Sequence, residues 1–158
     1  MKRILMTATA LLALSSSIKA QEIYEHILGN ATRIINTPST SFTQNRIAFF
    51  KWTALTYIGE KSLEENMTDR EKFLDTQAYS LSEFMNLFYH EVLENHKLSE
   101  SERPQRLNIF VKATRSYPLF SDSDDNVTQQ FVRSGTELTP FSLNTDWEKA
   151  LAEVRSHL

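Results

Sequence analysis

Leu74, Ala78, Leu81, Met85, Phe88 and Val92 follow one another at alternating steps of four and three residues, the spacing that lines side chains along one face of an α-helix. A stripe this long is a packing face, and it predicts a helix from about Asp69 to His96. The same period recurs on both sides of it. A first helix, about Glu22 to Asn36, carries Ile23, Ile27, Ile34 and Ile35 and stops before Thr37-Pro38, because proline disfavours helix in the residue before it. A second, about Thr43 to Asn66, sets Ile47, Phe50, Ala54, Leu55 and Ile58 on one side. Phe49, Trp52 and Tyr57 widen that side, so this helix is expected to be the most buried. Ser99 and Glu102 form a capping box that opens a fourth helix reaching about Ser116, with Pro104 in its first turn, where backbone N–H groups need no intrahelical acceptor. A last helix is expected from Thr145, with Glu148 as its capping partner and Trp147, Leu151, Val154 and Leu158 on one face.

From Leu119 to Asn144 the period weakens. Ser121 to Asp125 is an acidic turn, the run to Arg133 is expected as a short helix capped by Asp124 or Asp125 and closed by Gly135, and Thr139-Pro140-Phe141 breaks the chain again. Three glycines and four prolines in 158 residues are too few for the frequent turns of an all-β chain. The expected fold class is all-α: a bundle of four to five helices with an irregular excursion before the last helix.

Residues 1–20 stand apart from this domain. Lys2-Arg3, the apolar run Ile4 to Leu14, and Ala20 before Gln21 have the three parts of a secretory signal peptide. The run is shorter than the roughly 20 residues of a membrane span, and no second one follows. The expected mature chain is a single helical domain over residues 21–158 with no membrane span. Loss of Lys2, Arg3 and Lys19 takes the formal charge from −3 to −6, which disfavours nucleic acid and anionic lipid as partners. Cysteine is absent, so disulfides, thiolate metal sites and cysteine nucleophiles are excluded. A secreted eukaryotic domain of this size commonly uses disulfides, which points to a bacterial exported protein, periplasmic or extracellular.

Three features invite a chemical interpretation. In "FMNLFYHEVLENH", residues 84–96, His90 falls about 160° from the centre of the apolar stripe and His96 about 120° from His90, so a regular helix cannot bring both to one ion. The two are expected on a solvated face. Asp122-Ser123-Asp124-Asp125-Asn126 imitates the start of a calcium loop, but Val127 stands where that loop needs glycine and Arg133 where it needs glutamate. Lys51 conflicts with its surroundings, since it projects among Ile47, Ala54, Leu55 and Ile58. A desolvated lysine there would serve as a base or a Schiff-base nucleophile; the commoner arrangement packs the stem and sends the ammonium to water or a carboxylate. No catalytic, metal or cofactor-binding residue is assigned, and no cofactor is implied.

Four segments, "AFFKWTALTYI" (Ala48 to Ile58), "LDTQAYSLSEFMNLF" (Leu74 to Phe88), "YPLFSDSDDNVTQQFV" (Tyr117 to Val132) and "TPFSLNTDWEKAL" (Thr139 to Leu151), together resemble a group of small exported proteins of unassigned function from Bacteroidetes. The resemblance implies an exported helical domain and supplies no activity or functional residue. The expected function is an exported binding or interaction module for an unknown protein or glycan partner in the envelope. The alternatives are an enzyme with a non-motif active site and a structural component of a cell-surface assembly. Partner contact is expected at the acidic turn, through Asp122, Asp124 and Asp125, because long aperiodic segments in compact bundles are often functional. Leu119, Phe120, Phe131, Val132, Phe141 and Leu143 would pin the excursion across the helices.

Overall fold

All six residues of the stripe are completely buried, and the rest of the fold is arranged around them. The computed structural model of the chain describes residues 22–121, 128–134 and 137–158. Among these residues it is an all-α bundle of five helices with one two-stranded hairpin: α1 (Glu22–Ile35), α2 (Phe42–Glu64), α3 (Arg70–Phe88), α4 (Glu102–Ser116), β1 (Thr128–Ser134), β2 (Glu137–Ser142) and α5 (Trp147–His157). α3 is central, packing on α1, α2 and α5, while α4 closes against α5. It is also more deeply buried than α2, contrary to expectation. The apolar girdle of α2 reaches solvent at Trp52, 38% exposed among the described residues.

The α2–α3 turn uses left-handed backbone at Asn66 (φ 50°) and Asp69 (φ 53°), residue types that tolerate it. Arg70 clips the turn, donating through Nη2 to the Gly59 carbonyl and through Nε to Ser62 Oγ, both at 2.9 Å. At its other end α3 stops eight residues short of the expected His96. Tyr89–Leu93 forms a π-helical turn, in which Glu94 N–H donates to the Tyr89 carbonyl at 2.9 Å. The carbonyls of Val92 within that turn and Asn95 beyond it are taken by the Arg103 guanidinium, which satisfies orphan acceptors of a helix end. The Ser99–Glu102 box forms as expected, with Ser99 N–H donating to Glu102 Oε2 at 2.9 Å and Glu102 N–H to Ser99 Oγ at 3.3 Å.

The short helix expected up to Arg133 is a β-strand instead. β1 pairs antiparallel with β2, Gln129 opposite Phe141 and Arg133 opposite Leu138, and the register shifts between Gln130 and Val132. The two runs are rich in β-branched and aromatic residues, and their pairing is a contact between segments that helical periodicity within one segment does not report. Pro140, which lacks an N–H, lies opposite Gln130 next to that shift. Of the expected anchors Phe120, Phe141 and Leu143 are buried and Leu119 is partly buried against the core, while the side chains of Phe131 and Val132 lie outside what the structure describes. Phe141 is the hub of the aromatic core, with its ring 5.1 to 5.8 Å from those of Phe50, Phe84 and Phe88 in edge contacts, a favourable geometry for aromatic pairs.

Thr145 does not cap the last helix. Its hydroxyl is buried and lies 2.8 Å from both the Thr114 and Ser142 carbonyls, and the cap passes to Asp146, whose Oδ1 accepts from Lys149 N–H. Buried Gln77 reinforces this start from α3, donating to Asp146 Oδ1 at 3.3 Å and accepting from Trp147 N–H at 2.8 Å. Asn144 staples the entry to the excursion: its Oδ1 accepts from Leu119 and Phe120 N–H, and its Nδ2 donates to the Phe120 carbonyl at 2.9 Å.

Candidate functional site: a cleft around Lys51

The position that conflicts with its surroundings in the sequence lies in a cleft of about 610 Å³ between α1, α2 and α3. Ile27, Ala31 and Ile34 of α1 form one wall, Ile47 and Ala48 of α2 another, and Met85 of α3 the floor. Ala31 and Ala48 are buried, and their small side chains leave space where the helices face each other. Because α1 and α3 both run antiparallel to α2, Lys51 and Ser82 share one end of the cleft, and Gln44, Thr40 and Tyr89 the other. Seven residues of α2 separate Gln44 from Lys51, a helical rise of roughly 10 Å.

Lys51 Nζ donates to Ser82 Oγ at 3.1 Å. Burial pushes the Lys51 ammonium down from 10.5 to about 8, while the charge of Glu83 acts in the opposite direction. Glu83 itself pairs with Arg155, 3.3 Å away. Among the described residues Lys51 has no carboxylate partner, so its stem is packed and its head is held by a neutral hydroxyl. An ammonium has three donors and this one spends one on Ser82; the serine, having accepted, keeps its own O–H. The pair therefore presents donors to the cleft in excess of acceptors.

Of the two histidines in the residue 84–96 segment, His90 is 68% exposed in its side chain, with Nδ1 3.5 Å from Glu94 Oε2, and His96 is exposed as well. The solvated face expected for them is what the structure has. The π-helical turn gives the segment a different part to play. Tyr89, whose hydroxyl donates to Glu94, becomes the far wall of the cleft. Asp122, Asp124 and Asp125, the expected partner contact, lie outside the described residues.

Ser82, Asn86 and Asn30 were not singled out in the sequence. They sit off the apolar stripes, and which of them meets Lys51 depends on the rotation of one helix against another. A second depression of about 590 Å³ runs between α3 and α5. Its charged groups are of both signs and partly engaged: Asp75 accepts from Tyr24 N–H and Arg155 pairs with Glu83.

Comparison of the chain with protein-family models, curated proteins and solved structures returned no match. Fold and cleft alone define the class: a small helical bundle with a lateral cleft of mixed aliphatic and polar lining that ends on one half-buried lysine. No described helix is long and apolar enough to cross a membrane.

Proposed function

We propose that the protein is an exported helical binding module, acting in the periplasm or outside the cell, and that its ligand occupies the cleft between α1, α2 and α3. The observation that carries this is Lys51, a half-buried cation beside Ile47, Ala48 and Met85 whose ammonium is held by the Ser82 hydroxyl and has no carboxylate in contact among the described residues. A fold selected for stability alone gains little from a lysine there, since partly desolvating a charge without an ion-pair partner is costly. A concave apolar site with a few convergent polar groups is the usual form of a small-molecule pocket. Export is supported by the n-region, apolar run and Ala20 in the sequence. Two measurements test the proposal. Intact mass of natively exported protein should correspond to a chain beginning at Gln21; retention of residues 1–20 overturns export. A thermal-shift screen of small amphiphiles should give hits whose effect is lost when Ile34→Glu charges the cleft wall.

The Lys51–Ser82 distance favours a second reading, an acyl-transfer enzyme. Neutral Lys51 would take the Ser82 hydroxyl proton as Oγ attacks a carbonyl carbon, then pass it to the departing group as the tetrahedral adduct collapses. Ser82 lies mid-helix, where neighbouring N–H groups are spent on the α-helical ladder, so the oxyanion would depend on side-chain donors such as Asn86. Hydrolysis of an activated ester that rises through pH 8 and vanishes in Ser82→Ala supports this reading; activity retained in that variant excludes it.

A further inference from the structure

We infer that the cleft takes an aliphatic monocarboxylate, with the carboxylate held by Lys51 and Ser82 and the chain laid along Ile47, Ile34 and Met85 toward Gln44 and Tyr89. The inference rests on the binding proposal and narrows it to a ligand chemistry.

Three features of the cleft converge on that class. Its head end offers donors: the ammonium of Lys51 and the hydroxyl of Ser82, 3.1 Å apart. Two acceptor oxygens on one carbon complement such a pair, and a charged acceptor shortens and strengthens the bonds it receives. The charge count is one. Among the described residues Lys51 is the only lysine or arginine lining the cleft, so a monoanion is neutralised there, whereas a phosphate dianion would meet half the charge it needs. Along the body of the cleft Ile27, Ala31, Ile34, Ile47, Ala48 and Met85 supply aliphatic wall, with the amides of Asn30 and Asn86 beside it, and its length of roughly 10 Å along α2 accommodates an extended chain of medium length. Methionine adapts to an unbranched chain without a fixed shape.

The test is calorimetric titration of the mature chain at pH 7 with three probes of one chain length: decanoate, decanol and decyltrimethylammonium. Decanoate is expected to bind best. Lys51→Met should weaken decanoate by at least about tenfold, as for loss of a charge-assisted hydrogen bond, and change decanol far less. Ser82→Ala, a smaller change that keeps the charge, should weaken decanoate by a lesser factor. If decanol matches decanoate and neither responds to Lys51→Met, or if the cationic probe binds best, the carboxylate inference is overturned and the binding module stands. If no probe of any charge binds, both fail.

Discussion

The hydroxyl of Tyr24 lies directly over Gly59: a Cβ built on that glycine would come within 2.5 Å of it, and the same hydroxyl donates to the Leu55 carbonyl at 3.1 Å. α1 is keyed to α2 by this contact, and α1 is one wall of the cleft. Gly59→Ala should destabilise the chain by about 1 to 3 kcal/mol, the usual cost of overpacking, seen as a lower denaturation midpoint. In a Tyr24→Phe background the clash loses its nearest atom, since the next ring atom is 3.5 Å away. The alanine should then cost clearly less, and a double-mutant cycle reads the difference as coupling. Additive effects would mean that the hydroxyl does not set the α1 distance.

Lys51 should make stability depend on pH in an unusual direction. Its native value, about 8, is below the ordinary 10.5. Below pH 8 both folded and unfolded chains hold the proton, and the folded state bears the full cost of burying it. Between 8 and 10.5 the unfolded chain binds more protons, so stability rises with pH. His26, Glu83 and Tyr89 are the other titratable groups around the cleft end and rim. Lys51→Met removes the cost outright and should be more stable than the parent at pH 7 by up to about 3 kcal/mol. That advantage should fade as the pH approaches 10.5. Urea melts of both proteins across this range check it, and a variant less stable than the parent at pH 7 would contradict it.

Phe141→Ala empties the place where three core rings meet the hairpin. The expected loss is about 3 to 5 kcal/mol, the range for deleting a buried phenylalanine. Near-ultraviolet circular dichroism should change with it, because Trp147 shares Phe50 and Phe84 with Phe141. A loss under about 1 kcal/mol would place the hairpin outside the cooperative core.

Asn144→Ala strips partners from the N–H groups of Leu119 and Phe120 and from the Phe120 carbonyl. Each buried group left unsatisfied costs about 1 to 3 kcal/mol. Hydrogen exchange should quicken at Leu119 and Phe120 before it does in α3; unchanged protection there would show that Asn144 is not the staple.

Helices were legible in the sequence where a stripe was regular, as in α3, or where a capping box marked a start, as at Ser99–Glu102; the far end of α3, which no cap marks, was not. The faces were less so. Ile23, expected on the buried side of α1, is 44% exposed, and Tyr24 and Ala31 take that side because the key at Gly59 sets the rotation. The hairpin escaped notice because its pattern is shared between two segments. Lys51 was legible as a misfit from its own helix. Its partner Ser82 was not, because no single helix encodes how two of them are rotated against each other.

The π-helical turn at Tyr89–Leu93 also makes the length of the chain a matter of phase. Five residues close that turn where four would close an α-turn, and such bulges often accompany functional positions. Deleting one codon between Tyr89 and Leu93 would let an unbroken α-helix form, with no loss of propensity. Because the shorter turn closes the same rotation, the segment that follows would keep its phase about the axis, and the carbonyls that Arg103 holds would stay on its side. Lineages of this chain should therefore tolerate loss of one residue at this turn better than inside the regular turns of α3, where a deletion carries everything beyond it about 100° around the axis.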